Sequence, residues 1–283
     1  MLSGTNVLPT DVLYDRYAAI SKDPELSNVV QQGKLVWINK KDIRQGVKFE
    51  LSRKGDVYIL EHPYHITTKN VEAKDNLYIS GCDSYDAVEE STEEGDGRSR
   101  GSIFMYKRFW KPSISSDFFV AKITQRPDDA EDFYWNTVKL NMYYNSKMLY
   151  EHTKIGIARH YITNKLARKY LYEKPDLVSL GVLKKTKSTN RYGVTMPEPV
   201  KRYIIQQYGT WIKKHIETMF FKSQIEDGIN FIFGSSAFDE TMAASIALLG
   251  NEDMYAILVQ EEELKSRNFP KFRRNVQGKM IFN

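Results

Sequence analysis

The sequence has little cysteine, no long apolar run and no strong charge excess. The single cysteine among 283 residues, Cys82, excludes an intramolecular disulfide and any zinc site built on several thiolates. No stretch approaches the ~18 consecutive apolar residues that a membrane-crossing helix needs. The opening MLSGTNVLPTDVLYDRY also lacks the basic, apolar and small-residue order of a secretory leader. These absences predict a soluble intracellular protein with no membrane partner. No Gly-x-x-x-x-Gly-Lys-Ser/Thr phosphate loop exists, because Gly33-Lys34 is followed by Leu35 and Gly278-Lys279 by Met280, and there is no Gly-x-Gly-x-x-Gly dinucleotide loop. His62, His65, His152, His160 and His215 show no metalloprotease spacing. At 41 % hydrophobic and 27 % charged residues, the chain is not a disordered or low-complexity one.

A formal charge of +5 says little about partners, but the charges are separated along the chain. Leu183 to His215 carries eight basic residues against one acid, and Leu264 to Asn283 carries six against none. Asp83 to Asp96 carries seven acids and no base. Within the first basic stretch, Val182 to Val194 reads as a β-hairpin whose tip, with Lys184, Lys185, Lys187 and Arg191, can hold backbone phosphates; the alternative is a solvated Lys-rich edge that discourages strand pairing. Lys265 to Arg274, with Phe269 and Phe272 interleaved, is either a second such contact or a tail.

Periodicity and turn signals divide the chain in two. Residues 1–74 read as a small lead-in subdomain: a helix over Pro9–Ile20, then extended runs Lys34–Asn39, Val47–Leu51 and Val57–Leu60, the last two joined by a hairpin loop Ser52–Asp56. From residue 75 to 283 the order is a strand ending at Asp83, strands over Ser102–Arg108 and Phe118–Thr124, and a helix over Asp129–Asn145 with an Asp128-x-x-Glu131 capping box. A strand ending at Glu151, a helix over Ile155–Tyr172, a helix over Val200–Ile216, a short element over Gln224–Ile232 and a helix over Asp239–Leu249 follow. Three antiparallel strands, helix, strand, helix is the order of a ribonuclease H-like α/β fold, a mixed central sheet flanked by helices.

In that order the first and fourth strands are adjacent and parallel, so Asp83 and Glu151 fall on one edge of the sheet, where open α/β sheets bind ligands. Asp239 opens the last helix, where an acid is well tolerated. Taken singly, Asp83 and Glu151 also fit turn formers and Asp239 fits an N-cap. Taken together, they are the oxygen donors that hard divalent cations require, and two such ions suit phosphodiester hydrolysis. Asp86 and Glu240 are candidate auxiliary ligands, with a solvated loop and a first-turn helix position as the alternatives.

The segments Gly81-Cys82-Asp83-Ser84-Tyr85-Asp86, Gly101 to Arg108, Arg126-Pro127-Asp128-Asp129, Leu149-Tyr150-Glu151 and Phe238 to Ala244 together resemble the nuclease half of tailed-phage terminase large subunits, over about Leu77 to Gly250. The resemblance implies that Asp83, Glu151 and Asp239 bind two Mg²⁺ or Mn²⁺ ions and cut concatemeric double-stranded viral DNA during genome packaging. It further implies a terminase ATPase domain or chain, a small terminase subunit and a portal as partners, in the cytoplasm of an infected bacterium. The family's ATPase motif is absent, so the expectation is an excised domain or a separate nuclease. Two alternatives stay open: a junction resolvase or transposase-like nuclease of the same fold, and a non-catalytic DNA-binding or packaging-scaffold module.

Overall fold

The computed structural model describes residues 7–64, 75–85, 100–110, 112, 114–185, 189–235, 237–267, 272–274 and 280–282, with side chains as far as residue 255. The N-terminal helices α1 (Thr10–Lys22) and α2 (Pro24–Ser27) lead into β1 (Gln31–Trp37), β2 (Val47–Leu51) and β3 (Val57–Ile59). Next come β4 (Tyr78–Asp83), β5 (Gly101–Lys107), β6 (Phe118–Gln125), α3 (Ala130–Tyr144) and β7 (Lys147–Tyr150). The chain continues through α4 (Ile155–Thr163), α5 (Lys165–Arg168), α6 (Glu198–His215), α7 (Lys222–Asn230) and the long α8 (Asp239–Arg267). Strands β8 (Phe272–Arg274) and β9 (Met280–Phe282) pair with each other apart from the main sheet.

Seven strands form one mixed sheet in the order β2-β1-β3-β6-β5-β4-β7. Strands β6, β5 and β4 are antiparallel neighbours, and β7 lies parallel to β4 with Cys82 opposite Tyr150. Tyr170 to Tyr172 adds a rudimentary further strand beside β7: Met148 N donates to Tyr170 O at 2.7 Å and Tyr172 N to Met148 O at 2.9 Å. This is the ribonuclease H-like order expected from the sequence.

The sheet is covered on both faces because its strands are apolar on both. Tyr78 and Cys82 of β4, with Met148 and Tyr150 of β7, join the core under α3, whose Phe133, Val138 and Tyr144 are fully buried. Their alternate neighbours Ile79 and Leu149 join the opposite core, under α6 and α8. Successive side chains point to opposite faces of a strand, so Gly81 and Asp83 share the α8 face with Ile79, and Glu151 shares it with Leu149. Ala243, Ala244, Ser245 and Ala247 of α8 are small, which lets that helix lie directly on β4 at Gly81.

The described part of the lead-in, residues 7–64, joins the main sheet. Strand β3 pairs with β6 through Val57–Ile123 and Ile59–Ala121, so the lead-in extends the same sheet. Helix α1 packs on α7, and its buried Arg16 donates to Met219 O at 2.9 Å and to Glu217 Oε2 at 2.7 Å. Nor is the Ser52–Asp56 loop a hairpin between its two strands, because β1 lies between β2 and β3 and Gly33 faces Leu51 on one side and Val57 on the other. The loop passes over that crossing at Gly55, where a Cβ would lie 1.8 Å from Gly33 O, so only glycine fits.

Two local readings also shift. The α3 cap is Asp129, whose carboxylate accepts from Glu131 N at 2.8 Å, one residue later than the expected capping box. The long helix expected over Ile155–Tyr172 breaks at Asn164, whose side chain caps α5 through the amides of Leu166 and Ala167.

Candidate active site

Strand parity and register build the site. Asp83 is the last residue of β4 and Glu151 directly follows β7; Cys82 and Tyr150 are register partners, so the two acids emerge level and on the α8 face. Helix α8 crosses that face and begins with Asp239. All three acids line one cleft of about 180 Å³, together with Lys154 at the start of α4, Lys201 and Ile205 on α6, and Phe238. Asp83 and Asp239 are buried and Glu151 is half-buried.

Each acid is held differently. Thr153 Oγ1 donates to Glu151 Oε1 at 2.8 Å, and the backbone N–H of Arg100 donates to Asp239 Oδ2 at 2.7 Å. The N-cap reading of Asp239 gives way to a different arrangement: Asp239 is already helical, and Asp227 on α7 accepts from Thr241 N at 2.8 Å. Another helix therefore satisfies this first-turn amide. Burial pushes the Asp83 carboxyl well above the usual carboxylate range, and the neighbouring Asp239 and Glu151 push it further, with Lys154 and Lys201 opposing. Burial likewise raises Asp227 to about 7.

The donor chemistry suits divalent cations: three carboxylates facing one cleft, with no thiolate. Among the described residues, no three His, Cys, Asp or Glu side chains converge closely enough to grip a single ion, so the acids surround the cleft rather than meet at a point. Among the described residues, buried polar atoms without hydrogen-bond partners include Ser84 Oγ, next in sequence to Asp83, His152 Nδ1, next to Glu151, and Thr241 Oγ1, two residues past Asp239. Unsatisfied buried groups are rare in native proteins and mark places where function competes with packing.

The auxiliary candidates fare differently. Glu240 does not line the cleft; its carboxylate meets buried Lys122 of β6 at 2.5 Å and accepts from Ser223 Oγ at 3.1 Å, behind Asp239. A buried acid neutralised by an ammonium is a poor metal donor, and the pair instead ties the start of α8 to the sheet. Lys122→Met is expected to cost about 3 kcal/mol of unfolding free energy in urea, because Glu240 would be left buried and uncompensated; adding Glu240→Leu should recover most of it. Asp86 lies outside the described residues.

The basic segment is not a hairpin among its described residues. Tyr192 makes an isolated antiparallel bridge to Glu173 and Val194 a parallel one to Glu151, so the described residues 174–185 and 189–191 carry no strand pair of their own and the return runs beside the site. Lys184 and Lys185 are exposed, Lys187 lies outside the described residues, and Arg191 is paired with Glu173 at 2.8 Å and sits over the Tyr192 ring. Sequence reasoning missed Lys154, Lys201, Asp227 and Lys122. Only Lys201 carried a signal, lying four residues before Ile205 on one face of α6 in the basic stretch.

The fold and cleft define an α/β protein of ribonuclease H-like strand order with three carboxylates at the carboxyl edge of its parallel strands. No protein-family model matches the chain, and no curated protein matches it. Among solved structures it is similar to the large terminase nuclease from thermophilic phage G20c. The form with bound magnesium gives a TM-score of 0.41 at 13 % identity, covering 69 % of this chain and 88 % of that one. The form with bound zinc gives 0.40 at 13 % identity over the same shares. A third structure of that nuclease gives 0.38 at 12 % identity, covering 69 % and 89 %.

Proposed function

We propose that the chain is a divalent-metal-dependent DNA endonuclease that hydrolyses phosphodiesters in the cleft of Asp83, Glu151 and Asp239. The observation that supports this most strongly is the register of β4 against β7, which sets two strand-end acids level on the face where α8 delivers the third. Two Mg²⁺ or Mn²⁺ ions, when bound, supply Lewis acidity at phosphorus and make water nucleophilic near neutral pH. The chain's part is to hold them: Asp83 from the sheet, Glu151 oriented by Thr153, and Asp239 fixed by the Arg100 amide. The resemblance of the motif segments to terminase nucleases supports the narrower reading, cutting of concatemeric double-stranded viral DNA during packaging in an infected cell. In that setting the partners are a terminase ATPase, a small terminase subunit and a portal. Among the described residues no helix is long and apolar enough to cross a membrane.

Supercoiled plasmid incubated with the protein tests this. Nicking and linearisation are expected with Mn²⁺ or Mg²⁺ and none with chelator; binding without cutting at every metal concentration would favour the DNA-binding module instead. Saturating Mn²⁺ should also raise the melting temperature, since a ligand at about 100 times its Kd stabilises by about 2.7 kcal/mol. An unchanged melting curve would count against a metal site.

A further inference from the structure

The cleft contains cations that the hydrolytic reading does not use. Lys201 and Ile205, one helical turn apart on α6, both line it, so the α6 face that carries Lys201 is the face turned to the acids. Lys201 is half-buried and makes no hydrogen bond or ion pair among the described residues. Arg202, the next residue, is instead committed to Glu198 at 2.6 Å and to the face of Phe233. Lys154 brings a second ammonium-bearing side chain to the same cleft from the start of α4. A cleft walled only by carboxylates repels the phosphodiester it must admit. A lysine on a wall formed by a helix, apart from the strand-end acids, gives the incoming backbone an attractive side.

We propose that Lys201 is a phosphate-contacting residue that seats the DNA backbone in the acid cleft, a positioning role that carries no base specificity. This rests on the nuclease reading for its substrate but concerns a different step, backbone seating rather than bond cleavage. It predicts a salt signature. Each phosphate contact contributes about 0.9 to the slope of log K against log salt, which corresponds to about an eightfold change in affinity at 0.1 M.

The test uses a short duplex of arbitrary sequence, the full chain and Mg²⁺, in the Asp83→Asn background so that binding is read without cutting. Adding Lys201→Ala should lower the salt slope by about 1 and weaken binding about eightfold at 0.1 M salt, equally for unrelated sequences. Lys201→Arg should restore the slope, and Lys34→Ala, on the remote strand β1, should leave it unchanged. A Lys201→Ala slope equal to that of its parent, with only a change in melting temperature, would overturn the proposal and make Lys201 a counter-ion of the acids. Wild-type plasmid cutting is scored separately: cutting with an unchanged slope sinks the lysine contact alone, whereas a lowered slope without cutting at any metal concentration sinks the nuclease reading alone.

Discussion

Asp83→Asn should lose cutting by roughly 10³-fold or more while the metal-free protein becomes more stable. The first effect follows from removing one of the three carboxylates that line the cleft: metal assistance supplies several kcal/mol of transition-state stabilisation, and about 4 kcal/mol is a factor of 10³. The second follows from burial. Asp83 titrates well above the unfolded carboxylate value because it is desolvated beside Asp239 and Glu151. The folded state therefore binds more protons than the unfolded state between those two values, and stability falls as pH rises through that window. Wild type in chelator should thus be more stable in mild acid than at pH 8, and Asp83→Asn should flatten the dependence. At pH 8 the variant should gain on the order of 1–3 kcal/mol, part of the several kcal/mol that desolvating a carboxylate costs. Plasmid cutting and urea melts at two pH values read both effects; undiminished cutting, or lower stability of the variant at pH 8, would break the account of Asp83.

Gly81→Val should destabilise the fold by more than about 4 kcal/mol, enough to leave little folded protein. A Cβ at Gly81 would lie 2.1 Å from Ala247 N and 2.2 Å from Ala243 O, both backbone atoms of α8. Neither can rotate away as a side-chain tip would, so the helix must lift off the sheet. Overpacking of cores commonly costs 1–3 kcal/mol, and larger losses need such a rigid clash. The same contact sets how close Asp239 comes to Asp83, two residues beyond Gly81. Gly81→Ala, if it folds, should therefore cut poorly although no acid is altered. Circular dichroism melts with soluble yield decide the first point, and a well-folded Gly81→Val protein would show that α8 does not rest on β4 here.

What could be read from the sequence was local. The strand ending at Asp83, the strand read as ending at Glu151, which closes one residue earlier, and the helix opening at Asp239 each carried apolar runs and boundary residues, and the antiparallel-antiparallel-helix-parallel order then placed the acids together. What could not be read was tertiary. The β1 strand lies between β2 and β3 with Gly55 packed against Gly33, a contact invisible to turn rules that make Ser52–Asp56 a simple hairpin. Glu240 looks like a second acid at a helix start, and only the fold brings Lys122, 118 residues away, to neutralise it. The basic run around Lys184 reads as a strand pair by composition, yet Tyr192 and Val194 bridge to Glu173 and Glu151 instead. Asp227 carries no local mark, since its role at Thr241 N depends on α7 lying against α8.

The central claim is that Asp83, Glu151 and Asp239 form one divalent-metal site, and anomalous diffraction from crystals soaked in Mn²⁺ tests it most directly. Two anomalous peaks are expected in the cleft lined by Asp83, Glu151 and Asp239, roughly 3.5–4 Å apart as in two-metal phosphodiester hydrolysis. No peak in the cleft at saturating Mn²⁺, or metal held elsewhere in the chain, would contradict it.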